Sequence, residues 1–218
     1  MGLNKQKGNM YPWVTHTWNV IKGECPHDCS YCYMKSRKQP ELHFDEKELK
    51  TDLGEGNVIF VGSSCDMWAE FIPNQWIERV IVHCHDNKYL FQSKNPVRFL
   101  GFTDIFPDGL LLGTTIETNR HYDFISKAPK AEERRYAIQE LNYSRMVSIE
   151  PIMDFDLDVM VRWIKDIKPL FVSIGADSKG HNLPEPPPDK VQKLIEELRQ
   201  FTEVKVKDNL KRLEVKDG

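Results

Sequence analysis

At 218 residues, 40% hydrophobic and 29% charged, the chain is long enough for one sizeable core and short for two. Its 30 basic and 33 acidic side chains leave a formal net charge of −3, which excludes a global basic field but not a local basic groove. No run approaches the roughly 18 apolar residues of a membrane span, and the N-terminus lacks the apolar stretch of a secretory signal, so a cytoplasmic protein with no membrane partner is expected, one domain over 1–218.

In chain order, short β-rich apolar runs fall at 16–21, 58–61, 89–92, 110–116, 146–149, 170–174 and 204–206. Segments of helical period lie between several of them. Ile77, Val80, Ile81 and Cys84 share one face, as do Leu157, Met160, Val161 and Ile164, and Val191, Leu194, Ile195 and Leu198. Asn74, Asp156 and Asp189 are the expected N-caps, the last following the helix-breaking run Pro186-Pro187-Pro188. Residues 211–218 read as a solvated tail. Strand–helix alternation predicts parallel strands joined by crossover helices. A complete eight-fold barrel takes about 250 residues, so the expected fold is α/β, a partial (β/α)6–7 TIM-like barrel with outer helices, and a doubly wound open sheet is its rival. Both put chemistry at the C-terminal ends of the strands.

Five cysteines, three of them within eight positions, suit a metal site in a reducing compartment better than a disulfide framework. The segment Gly23-Glu24-Cys25-Pro26-His27-Asp28-Cys29-Ser30-Tyr31-Cys32-Tyr33 follows the first predicted strand with the spacing Cys-x3-Cys-x2-Cys. Three thiolates so close can hold three irons of a [4Fe-4S] cubane and leave the fourth open to an external ligand. Zinc, with His27 as a fourth ligand, competes; a structural zinc site usually draws on two separated ligand pairs, and no second pair occurs here.

This spacing, with the aromatic Tyr31 just before Cys32, resembles the signature of the radical S-adenosylmethionine (SAM) superfamily. More narrowly, the chain is similar to a phage-associated radical SAM family of uncharacterised function, and more distantly to spore photoproduct lyase. The matching segments are Trp18-Asn19, Gly23, Cys32-Tyr33, FVGSSCD at 60–66, SKNP at 93–96, GTTIE at 113–117, VSIEP at 147–151 and KDN at 207–209, a core of about 13–210. That family often has a longer cysteine loop.

The resemblance implies a [4Fe-4S] cluster on Cys25, Cys29 and Cys32, SAM as cofactor, and a reductant such as flavodoxin or ferredoxin. It places Gly62, Ser63 and Ser64 at the turn that receives the SAM amino group, Lys94 at its carboxylate and Glu117 at its ribose. Ser148 and Glu150 orient SAM or substrate, and Asp177 completes the set of charged groups at strand ends. Cys65, just past the second strand, reads either as a hydrogen-atom donor or as a buried space-filler. Cys84 reads as core. His16, His83, His85 and His181 form no i, i+4 metal pair, while Trp13, Trp18, Trp68 and Tyr122 offer faces for a planar substrate. The expected reaction abstracts hydrogen from a nucleobase or nucleotide. A peptide or metabolite substrate, or a non-enzymatic zinc or iron–sulfur module, are the alternatives.

Overall fold

The structure, a computed structural model, describes residues 3–213. In chain order the elements are β1 (Asn4–Lys5), β2 (His16–Trp18), β3 (Ile21–Lys22), β4 (His43–Phe44), α1 (Glu46–Leu49), β5 (Val58–Val61), α2 (Asn74–Val82), β6 (Lys88–Ser93), β7 (Leu110–Thr115), α3 (Ala131–Gln139), β8 (Arg145–Ile149), α4 (Leu157–Ile167), β9 (Phe171–Ile174), α5 (Pro188–Arg199) and β10 (Glu203–Val206). Three 3-10 segments, Tyr33–Ser36, Pro96–Ile105 and Asp208–Leu213, join them.

One eight-stranded sheet runs β1-β2-β5-β6-β7-β8-β9-β10, with β1 antiparallel to β2 and every other pairing parallel. The seven parallel strands lie side by side in sequence order. A doubly wound sheet turns back at a switch point; this one never does, and β1 and β10 remain as edges. The fold is therefore the partial, unclosed α/β barrel.

Because successive side chains of a strand point to opposite faces, each strand feeds two cores. Ile59, Val61, Tyr89, Phe91, Leu112, Val147, Ile149, Val172 and Ile174 face the large core shared with the helices. Phe60, Leu90, Met146 and Phe171 form a second, inner cluster with Tyr11 and Val14. The N-terminal segment thus lies against the concave face and fills space that extra strands would fill in a closed barrel. Ring stacking of Tyr11 on Trp13, centroids 5.3 Å apart, fixes it there.

Several sequence expectations change. The run at 16–21 is not one strand: it stops after Trp18, and Ile21–Lys22 pairs instead with His43–Phe44. Between them Asn19 turns its side chain to the end of β5, accepting from the Ser64 amide at 2.9 Å, and this diverts the chain from the sheet. Leu170 lies outside β9 and is exposed. On α4 the buried face is Met160, Trp163, Ile164 and Ile167, with Leu157 and Val161 at its margin, whereas the predicted face of α5 is buried in full. Cys84 is buried just past α2, where its thiol donates to the Val80 carbonyl at 3.4 Å.

Pro73 and Pro187, not Asn74 and Asp189, cap α2 and α5. Asp156 does precede α4, but its carboxylate is held by Asn119 at 3.0 Å and by Arg120 at 2.7 Å. Of the predicted tail, residues 211–213 close a 3-10 turn that buries Leu210 and Leu213, and 214–218 lie outside the described residues.

Candidate active site

The cysteine loop leaves β3 through Gly23, whose φ of +105° is open to glycine and whose added Cβ would meet the Pro40 carbonyl at 2.8 Å. Cys25, Cys29 and Cys32 are all free thiols and line a single cavity of about 1470 Å³. The cavity also takes Gly62, Ser63, Ser64, Lys94, Ser148, Glu150 and Asp177, so it sits at the C-terminal ends of the parallel strands.

Three sets of contacts hold the loop. His27, buried between the first two cysteines, bonds through Nε2 to Asp66 Oδ2 at 2.8 Å, and the same oxygen accepts from Ser93 Oγ at 2.9 Å and the Lys94 amide at 2.8 Å. The segment after β7 clasps the outside: the Ser30 amide donates to the Ile125 carbonyl at 2.8 Å, and Ser126 Oγ lies 3.2 Å from Cys29 Sγ while donating to the His27 carbonyl at 3.1 Å. Tyr33 donates to the Ser63 carbonyl at 3.1 Å, tying the loop to the turn after β5. Burial pushes the Asp66 carboxyl up, but the His27 ring and the hydrogen bonds outweigh it and hold the group below the usual range.

The thiols differ in environment. Cys25 accepts a hydrogen bond from Cys65, which draws it down to about 6 against the opposing effect of burial. Cys65 is pushed up as the donor of that bond, and Cys29 is raised chiefly by burial. Among the described residues no three ligand side chains are already drawn together as a metal-holding group. The donor chemistry nonetheless fits the iron–sulfur cluster: three free thiols on one glycine-hinged loop share a cavity wall with no competing disulfide.

At the turn after β5, Gly62 has φ +78°, and a Cβ there would approach the Cys65 carbonyl to 3.2 Å. Asn19 Oδ1 secures the turn through Ser63 Oγ at 3.2 Å. Lys94 reaches across to Glu117 Oε1 at 2.7 Å. Glu117, unlike the other expected residues, is absent from the cavity wall: at 3% exposure it is held by Lys94, by Arg134 of α3 at 2.7 Å and by the phenol of Tyr31. Burial favours its neutral form, yet Arg134 and Lys94 prevail and bring it down to about 2. A ribose contact would require it to leave these partners. Ser148 accepts from the Tyr11 phenol at 3.0 Å, and Glu150 accepts from Lys207 at 2.7 Å, Asn9 at 2.7 Å and Asn209 at 2.9 Å. Gly175 makes room for that carboxylate; a Cβ would lie 2.6 Å from its Oε1.

Asp177 holds His181 through Nδ1 at 2.6 Å, and both line the cavity. Trp18 and Trp68 are fully buried, and neither lines the cavity; they are core, Trp68 edge-on to Phe99 with centroids 4.7 Å apart. Trp13 packs on Tyr11 and Phe171, and Tyr122 on Phe124. Composition and period gave no sign of Asn9, Tyr11 or Ser126, whereas Asn19, Lys207 and Asn209 fell within the segments that carry the resemblance.

No protein-family model matches the chain, and no curated protein matches it. Solved structures do. One, spore photoproduct lyase with bound AdoMet and dinucleoside spore photoproduct, superposes with a TM-score of 0.59 at 12% identity over 92% of this chain and 66% of that one. Another structure of a mutant of the same enzyme gives 0.61 at 13% identity with the same coverage. The chain thus spans 66% of the length of the lyase it matches. At such identity the likeness is one of fold, and over nearly its whole described length this chain shares the fold of spore photoproduct lyase.

Proposed function

We propose that the chain is a radical SAM enzyme that abstracts hydrogen from a nucleobase-containing substrate. The observation that carries this reading is the convergence of three free cysteines of one loop with polar residues from the ends of all seven parallel strands on one cavity. When bound, a [4Fe-4S] cluster and SAM supply reductive cleavage of the sulfonium to methionine and a 5′-deoxyadenosyl radical. Cys25, Cys29 and Cys32 would hold the cluster. The turn at Gly62, Ser63 and Ser64 offers backbone and hydroxyl groups to the SAM amino group, and Lys94 a cation to its carboxylate, with Glu117 behind holding that ammonium in place. Ser148, Glu150 and Asp177 present polar groups held by Tyr11, Lys207 and His181 to the same cavity. A flavodoxin- or ferredoxin-type protein would supply the electron. The fold neighbours' bound AdoMet and dinucleoside support the cofactor and the nucleobase.

The test is anaerobic reconstitution of wild type and Cys29→Ala. Wild type should gain iron, absorbance near ~400 nm, and release 5′-deoxyadenosine on addition of dithionite and SAM, and Cys29→Ala should lose all three. A zinc centre with no affinity for SAM in wild type would end this reading.

A further inference from the structure

The cavity wall and its rim carry opposite kinds of charge balance. On the wall the carboxylates of Asp66, Glu150 and Asp177 are each engaged by His27, Lys207 and His181 respectively. On the rim stand five exposed cations, Lys5, Lys7, Arg37, Lys38 and Lys179, none of which has a carboxylate partner among the described residues. Among the described residues the only carboxylates lining the cavity are those three engaged ones, so five cations without a carboxylate partner around its opening mark a local positive field.

They come from three separate places in the chain: the N-terminal segment, the stretch after the cysteine loop, and the loop beyond β9. Both flanking stretches are held in place. The N-terminal one is pinned by pairing of Asn4 with Thr17 and by Tyr11, and the 33–38 stretch by the Tyr33–Ser63 bond and by Gln39, which donates to the Met34 carbonyl at 2.7 Å. A free nucleotide concentrates its charge on one terminal phosphate group and would need one cluster of cations. Cations drawn from three segments around one opening, with the N-terminal segment meeting the loop beyond β9 where Asn9 bonds to Ser178 at 3.3 Å, match phosphates spaced along a chain.

Resting on the radical SAM reading of this cavity, we infer that the substrate is presented as part of a polynucleotide strand. Its phosphodiester backbone is held by Lys5 and Lys7 of the N-terminal segment, Arg37 and Lys38 after the cysteine loop and Lys179 beyond β9, and the target base enters the cavity. The paired wall below offers little net charge to repel or trap the base, so backbone grip and base placement are carried by different residues.

The experiment is fluorescence anisotropy of the reconstituted protein with a labelled single-stranded DNA of about 20 nucleotides, over a salt series. Five phosphate contacts give a slope of log K against log salt of about −3.5, a roughly 100-fold loss of affinity from 50 to 200 mM salt. Lys5→Glu/Lys7→Glu and Arg37→Glu/Lys38→Glu should each flatten the slope by about 1.4 and weaken binding at least about 10-fold at low salt. Lys193→Glu, on the outer helix α5, should leave both unchanged, which separates the rim from overall charge.

Salt-independent binding, equal binding by both double variants and wild type, competition by AMP at the concentration of nucleotide units that the oligonucleotide needs, or equal competition by polyglutamate would each overturn the inference. The last would mark the rim as a surface for an acidic protein. SAM cleavage by dithionite-reduced wild type without DNA is scored separately. Cleavage without strand binding sinks the rim and spares the radical reading, and the reverse result does the opposite.

Discussion

The imidazole of His27 lies 2.8 Å from the carboxylate of Asp66, joining the cysteine loop to the turn that follows β5. Asp66, its side chain 13% exposed, also anchors Ser93 and the Lys94 amide, so one carboxylate fixes three parts of the cavity. Asp66→Ala leaves four partners, the His27 ring, the Ser93 hydroxyl and the Lys94 and Trp68 amides, facing an empty space. A loss of roughly 3 kcal/mol is expected, from several hydrogen-bonding groups left unsatisfied. Thermal unfolding reads the stability, and iron bound after reconstitution should fall with it, whereas intact iron loading at an unchanged melting temperature would show that the loop holds without this tie.

Glu117 supplies a pH dependence. Its folded pKa, about 2, lies below the ordinary value of 4.5, so its ion pairs with Arg134 and Lys94 contribute stability that is fully present above about pH 4.5 and is lost as pH falls toward 2. The shift corresponds to on the order of 3 kcal/mol. Denaturant unfolding between pH 6 and pH 2.5 should show wild type losing more stability than Glu117→Gln. Parallel curves would mean that the buried cluster does not titrate as described.

Tyr11 tests the role of the N-terminal segment. Its phenol bonds to Gln92 at 2.9 Å and Ser148 at 3.0 Å, inside the half-barrel. Tyr11→Phe keeps the ring and removes the bonds, a cost of about 1–2 kcal/mol. Proteolysis near residues 7–10 should quicken as the segment loosens, and an unaltered cleavage pattern would show that ring packing alone retains it.

Gly175→Ala puts a methyl group where the Glu150 carboxylate lies. The carboxylate must move off Asn209 and Lys207, so the variant should lose roughly 1–3 kcal/mol and, on the proposed reading, SAM affinity. Equilibrium dialysis with labelled SAM checks the second effect, and unchanged binding would remove Glu150 from the cofactor's surroundings.

Cys65, against Cys25 and 2% exposed, stands at the cavity wall. As a hydrogen-atom donor it would pass the S–H hydrogen to a substrate carbon radical, forming a C–H bond and leaving a thiyl. In deuterated solvent the wild-type product should then carry deuterium and the Cys65→Ala product should not. Equal labelling in both would make the thiol a packing and hydrogen-bonding group alone.

Local pattern was enough for much of this molecule. Strand 58–61, the apolar face of α5 and the spacing of the three cysteines depend on neighbours a few residues away, and period and spacing express those directly. Charged groups at strand ends could be named for the same reason, because parallel strands joined by crossovers put all those ends on one side. What sequence alone could not decide were the matters that depend on packing between distant segments. Tyr11 meets Ser148 across 137 positions, Asn19 breaks a strand to serve a turn 45 positions on, and Glu117 is drawn behind Lys94 by an arginine from α3. Five ordinary lysines and arginines came to line one opening only when three distant segments were brought together. Hydrophobic period and metal-ligand spacing are written locally, whereas burial, ion pairing and local electric field are properties of the assembled interior and its rim.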